Sequence, residues 1–201
     1  MSQRYALLVP VKTLSLAKSR LSAPEAPQRA ELMRAFARDV LAAATGCPAV
    51  AQVYVVTDEA GFDDDTVRRL PDEGDGDLNR ALVHASLHAR LAAPELGLAV
   101  VFADLPCLTS SDLGTALGAG SSARWFVADA EGTGTALLAA GPGVDLDPHF
   151  GVGSASRHEA SGAAPVRADV PTVRRDVDTD ADLEAARALG VGPHTAALLE
   201  R

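Results

Sequence analysis

Apolar residues in this chain alternate between short unbroken blocks and longer stretches in which they recur every three or four positions. The blocks fall at residues 5–11 (YALLVPV), 53–56 (VYVV) and 98–102 (LAVVF). Short continuous runs rich in β-branched residues read as strands buried on both faces, the habit of a parallel sheet. Between them, Leu32, Phe36, Val40 and Ala43 or Ala44 mark an amphipathic helix over 29–45, which Gly46 and Pro48 stop. Leu82, Ala85 and Ala89 mark a second helix over 78–91. Strands are expected at 124–128 and again after the turn at 129–135, and a short strand or helical turn near 67–70. Further helices are expected after Thr109, after Ser154 as a capping residue, and over 181–189 before Gly190. The segment 173–179 reads as a strand. No repeat or linker divides the chain, so the pattern predicts one α/β domain over 1–201, with a mostly parallel central sheet flanked by helices.

The block at 98–102 runs into Asp104, and Pro106 then denies the chain a donor and ends the pairing. Asp104 is therefore expected at the carboxyl end of a central strand, where open α/β sheets bind ligands. A carboxylate there is costly to bury unless a cation meets it, and a divalent metal carrying a phosphorylated substrate is the simplest counter-charge. Asp176 and Asp178 gather a second pair of carboxylates. On a strand they share a face, and they repel each other unless a cation sits between them. Asp112 and Asp182 each stand three residues after a threonine, Thr109 and Thr179, in the pattern of a capping box. They are set aside as structural.

Composition narrows the chemistry. The net charge of −9 over 201 residues argues against general nucleic-acid binding. Anionic small substrates then need a local basic cluster or a metal. Lys12, Lys18 and Arg20 follow the first strand, where nucleotide phosphates are commonly received. No glycine pattern of the phosphate-cradling kind is present there, so side chains would do most of the holding. Cys47 and Cys107 are the two cysteines and neither has a CxxC partner, which suits a reducing compartment. The apolar start is too short for a signal peptide and Lys12 follows it at once, and no run approaches the ~20 apolar residues of a membrane helix. A cytoplasmic protein is expected, with neither membrane nor nucleic acid as partner.

Three loops could contact a ligand or simply turn the chain. The acidic, glycine-rich loop 72–79 ends at Asn79, whose amide could read a base edge. Gly132-Thr133-Gly134-Thr135 could let the backbone approach a ligand while hydroxyls donate to it. Phe150-Gly151-Val152-Gly153-Ser154 repeats that device. His158 reads as a packed or solvated histidine, and the remaining histidines show no metal-site spacing.

Seven of these motifs, in order, resemble those of the phospholactate/phosphoenolpyruvate guanylyltransferases. They are Pro10-Val11-Lys12, Ala17-Lys18-Ser19-Arg20-Leu21, Asp77-Leu78-Asn79, Ala103-Asp104-Leu105-Pro106, Gly132-Thr133-Gly134-Thr135, Phe150-Gly151 with Ser154, and Arg175-Asp176-Val177-Asp178-Thr179. The resemblance implies a Rossmann-like nucleotidyltransferase fold of the glycosyltransferase-A type. It implies GTP reacting with phosphoenolpyruvate or 2-phospho-L-lactate, with pyrophosphate released and the product passed to a downstream transferase of coenzyme F-420 biosynthesis. It implies Mg²⁺ held by Asp104, Asp176 and Asp178, with Asp104 and Lys18 catalytic. Thr135, Gly151 and Ser154 would hold the acceptor; Lys12, Lys18 and Arg20 would face the GTP phosphates, and Asn79 would lie near the guanine. The loop at 73–77 carries more acid than the family's usual glycine-rich loop, which bears on base specificity. The alternatives are a regulatory nucleotide-binding protein on the same fold, and a molybdopterin- or sugar-nucleotide transferase.

Overall fold

The computed structural model describes residues 3–11, 26–62 and 65–200. Its strands are Tyr5–Pro10 (β1), Val50–Val56 (β2), Val67–Leu70 (β3), Gly97–Val101 (β4), Arg124–Ala128 (β5), Thr135–Ala140 (β6) and Ala164–Pro165 (β7). Its helices are Ala26–Thr45 (α1), Leu78–Ala92 (α2), Ser110–Gly118 (α3), Ser154–Ala160 (α4), Pro171–Arg174 (α5), Asp180–Leu189 (α6) and Pro193–Leu199 (α7). Among the described residues, no helix is long and apolar enough to cross a membrane.

These strands form one sheet in the order β3-β2-β1-β4-β6-β5-β7. β1, β4 and β6 are buried along their whole length, as their unbroken apolar sequences require. Side-chain alternation splits them between two cores. Leu7, Val9, Ala99, Val101 and Leu137 face a core shared with Phe36 and Val40 of α1 and Leu113 of α3. Ala6, Leu8, Val100 and Leu138 face the opposite core, shared with Leu82 and Ala85 of α2. Both sheet faces are therefore covered by helices, which is why no strand shows an amphipathic period.

Strand direction positions the site. β1 pairs in parallel with β2 and with β4, and the chain passes out to β3 before returning to the other side of β1. That reversal of winding opens a crevice beyond the carboxyl ends of β1 and β4. β6 runs antiparallel to both β4 and β5, with Val101 opposite Leu137. Its first residue, Thr135, thus lies at the same sheet edge as the chain leaving β4.

Three local expectations are corrected. The segment 173–179 is not a strand: Pro171 opens the short helix α5, and an extended link joins it to α6. Arg174 holds this path by donating to the carbonyls of Ala128 at 2.9 Å and Val166 at 3.2 Å, while Val173 is fully buried. Ser154 is the first residue of α4 and not its cap; Gly153, in left-handed conformation, occupies the cap without a side-chain bond. Thr109 does cap α3, but Asp112 turns its Oδ2 to Thr172, accepting from its N–H at 3.0 Å and hydroxyl at 2.7 Å. Thr179 and Asp182 form the full reciprocal box at α6.

Candidate active site

After Val101 the chain leaves the sheet, and Ala103 and Leu105 turn into the core. Asp104 between them is left partly accessible at the crevice. It sits in the turn beyond β4 and not on the strand itself. The Asp104 carbonyl accepts from the Val177 N–H at 3.0 Å, and Val177 is fully buried. With Val177 pointing inward, its neighbours Asp176 and Asp178 are turned the other way, which does without a ladder what a strand would have done. One carboxylate oxygen from each of Asp104, Asp176 and Asp178 lies within 4.8 Å of the others.

Both ends of the Asp176–Asp178 link are held. Downstream, Asp182 Oδ2 accepts from the amides of Thr179 at 2.8 Å and Asp178 at 3.2 Å. Burial opposes charge on Asp182, but those hydrogen bonds, the Thr179 hydroxyl and Arg175 outweigh it and hold its carboxyl below the usual range. Upstream, the Cys107 thiol lies 3.9 Å from the carbonyls of Thr172 and Arg175. Burial raises that thiol to about 11, so it is a packing group and not a nucleophile.

The three aspartates share a cavity of about 470 Å³ with Thr135, Gly151 and Ser154. That is an ordinary size for a small-molecule site. Phe102 and Phe150 form part of its wall, edge to face with ring centroids 4.9 Å apart. Among the described lining residues, four are aspartates (Asp104, Asp129, Asp176, Asp178) and none is basic. Lys12, Lys18 and Arg20 lie outside the described residues. An anion entering this cavity needs cations from elsewhere. Three clustered carboxylate oxygens are hard donors of the kind Mg²⁺ takes, together with substrate phosphates and water. The residues present fit that ion.

Thr135 reaches the cavity from the start of β6, presented by the turn before it. Of the two readings of that turn, approach to a ligand or a plain turn of the chain, its amides serve the second. Asp129 consumes them: its Oδ1 accepts from Thr133 at 3.0 Å and its Oδ2 from Gly134 at 2.7 Å. Asn79 is likewise committed within the protein. Its Oδ1 accepts from the Phe150 N–H at 2.7 Å and its Nδ2 donates to the Phe150 carbonyl at 3.2 Å. Asn79 thus holds the cavity wall and the Gly151–Ser154 loop, and its neighbour Leu78 is the one that lines the cavity. Gly151, with φ of 119°, takes a conformation that favours glycine.

Sequence reasoning did not assign Asp129 or Phe102 to the cavity, whereas Phe150 fell within a loop it singled out and His158 is buried as that reading allowed. Asp129 had a faint signal, since an aspartate before Gly-x-Gly commonly builds a turn. Phe102 had none, because an aromatic closing an apolar block reads as core.

Residues 5–195 match the family described as Guanylyl transferase CofC like. The chain belongs to this family. Among its relatives, a phosphoenolpyruvate guanylyltransferase of Thermomonospora curvata is 47% identical, over 98% of this chain and 89% of that one. A protein of the same name from Streptomyces coelicolor is also 47% identical, covering 98% and 97% of the two chains. Among solved structures, a nucleotide-diphospho-sugar transferase-type protein of Desulfovibrio desulfuricans G20 superposes with a TM-score of 0.74 at 17% identity, covering 99% and 95%. A 4-diphosphocytidyl-2C-methyl-D-erythritol synthase of Anaerococcus prevotii does so with 0.57 at 10% identity, covering 92% and 95%. Those likenesses establish the nucleotidyltransferase type of fold. As a CofC-like chain, the protein is an enzyme of the guanylyltransferase class.

Proposed function

We propose that this chain transfers the guanylyl group of GTP to phosphoenolpyruvate, with release of pyrophosphate, as a step in coenzyme F-420 biosynthesis. The carrying observation is the acidic cavity itself, in which three carboxylates converge at the carboxyl end of β4 opposite Thr135. The names of the relatives support phosphoenolpyruvate as acceptor. A phosphate oxygen of the acceptor attacks the α-phosphorus of GTP, the bond from that phosphorus to the bridging oxygen breaks, and pyrophosphate leaves with the electron pair. No protein nucleophile is needed, because the acceptor is already an anion; positioning and charge screening are the whole task.

In this reading Asp104, Asp176 and Asp178 hold Mg²⁺. That ion would supply the positive charge that lets donor and acceptor phosphates approach. Thr135, Gly151 and Ser154 orient the acceptor, while Phe102 and Phe150 keep water from competing as nucleophile. Lys12, Lys18 and Arg20 receive the donor's phosphates. The downstream transferase that consumes the product belongs to the same proposal.

The test is pyrophosphate release by the purified chain with GTP, Mg²⁺ and either phosphoenolpyruvate or 2-phospho-L-lactate, with the product identified by mass. The downstream transferase is included in a parallel arm to pull the equilibrium. Release with GTP and phosphoenolpyruvate is expected. Release with CTP alone, or with neither acid in either arm, refutes the proposal.

A further inference from the structure

We propose that His158, which has no exposure to solvent, is a positioning residue for the acceptor: it fixes the Thr135 hydroxyl as a hydrogen-bond donor into the cavity. The identity of the anion that receives this bond rests on the guanylyl-transfer reading above. The direction of the bond rests on geometry alone.

A backbone N–H can only donate. The His149 N–H lies 2.9 Å from His158 Nε2, so that nitrogen must present its lone pair. A neutral imidazole then carries its hydrogen on Nδ1, and Nδ1 lies 2.9 Å from Thr135 Oγ1. The ring therefore donates and the hydroxyl accepts. Thr135 has one hydroxyl hydrogen, and it has no use toward a nitrogen that lacks a lone pair. Among the described residues Oγ1 makes this one hydrogen bond. The O–H is left to rotate about Cβ–Oγ1 into the cavity that Thr135 lines together with Ser154. In the opposite tautomer, the hydroxyl would give its hydrogen to the ring and show only lone pairs to an incoming anion.

The surroundings keep the ring neutral and still. Burial first, then the positive fields of His149, Arg124 and Arg157, lower its pKa to about 4, against an opposing pull from Asp147. Phe150 meets the ring edge to face at 4.9 Å, and Phe126 lies tilted at 6.0 Å. Phe150 is also cavity wall, so the imidazole stands directly behind the surface that the acceptor would touch. A histidine kept only to satisfy the His149 amide would be indifferent to what residue 135 carries. That difference is measurable.

One arm reads the tautomer without any reaction. Imidazole nitrogen–proton correlation spectra of the ¹⁵N-labelled full chain, from about pH 8 to about pH 5, should show His158 protonated on Nδ1 and bare on Nε2 throughout. A proton on Nε2 overturns the proposal. The other arm reads kinetics. His158→Gln can still accept from the His149 amide but has no donor at the Nδ1 position. It should raise KM for phosphoenolpyruvate about tenfold while KM for GTP stays within about twofold. His158→Asn, whose amide nitrogen falls near Nδ1, should recover most of that loss. In a Thr135→Val background, His158→Gln should have no further effect on KM for phosphoenolpyruvate. Equal losses in both backgrounds, or a rise in both KM values together, overturns the proposal. A wild-type chain with the expected tautomer but no pyrophosphate release refutes guanylyl transfer, and the spectra then establish the hydroxyl's direction by themselves.

Discussion

Gly134 is the residue through which the turn before β6 can be broken by a single methyl group. Its backbone N–H donates to Asp129 Oδ2 at 2.7 Å, beside the Thr133 N–H that donates to Oδ1 at 3.0 Å. A Cβ on residue 134 would stand 2.1 Å from Asp129 Oδ2 and 3.1 Å from its Cγ. Residue 134 does not take the left-handed conformation, so this contact alone opposes alanine. In Gly134→Ala the carboxylate must leave and both amides lose their partner. An amide bond to a charged acceptor is worth about 1.5 kcal/mol at the low end of its range, so the loss is about 3 kcal/mol. For a chain of this size that lowers Tm by about 6–12 °C. Gly132→Ala is the control: its φ is +76° and nothing lies within 4 Å of a new Cβ. Only backbone strain opposes it, so it should cost about 1 kcal/mol. Asp129→Ala removes the same two bonds in advance, so Gly134→Ala added to it should cost almost nothing more. Urea unfolding of these variants measures the stabilities, and KM for phosphoenolpyruvate reports the displacement of Thr135. If Gly134→Ala is as mild as Gly132→Ala, or fully additive with Asp129→Ala, the turn is not held as described.

Three further outcomes are expected. Asp176→Asn should lower turnover by about a thousandfold or more with an unchanged circular-dichroism spectrum, and should abolish the rise in Tm that Mg²⁺ gives the wild type; an unaltered Mg²⁺ response would place the ion elsewhere. His158 has a folded pKa of about 4, below its ordinary 6.5, so the unfolded chain takes up the proton first. The stability it contributes is complete above about pH 6.5 and is lost as pH falls toward about 4, on the order of 3 kcal/mol, and His158→Gln should remove that part of the slope in urea titrations. Buried Asp39 accepts from the amides of His194 and Thr195, both at 2.9 Å, and so caps α7. Asp39→Ala should lower stability by about 2 kcal/mol in urea unfolding; a loss within experimental error would show that α7 docks through its apolar contacts alone.

Much of the frame was legible in the chain because it follows from local chemistry. The unbroken apolar blocks became β1, β2 and β4, buried on both faces, since backbone pairing and apolar burial leave such a run little else to do. Thr179 with Asp182 closed the box at α6 because a cap needs only neighbours three residues away. Asp104 stood out as a charge at the end of an apolar run, and its grouping with Asp176 and Asp178 was readable as a shared need for a cation. The pair is not aligned by a strand, since none exists at 173–179; one bond between Val177 and Asp104 performs the alignment.

What the sequence determined by itself was which segments are buried, where they stop, and which charges those stops leave behind. Only the tertiary structure decided that β6 runs against β4, and thereby that Thr135 faces the edge where Asp104 stands. It also decided that Asn79 holds Phe150, that Asp129 takes the turn's amides, and that His158 directs a hydroxyl from behind the wall. Periodicity and capping report interactions a residue makes with its near neighbours. Strand direction and contacts across 71 residues, as between Asn79 and Phe150, depend on how the whole chain shares its buried surface. No window of sequence contains that information.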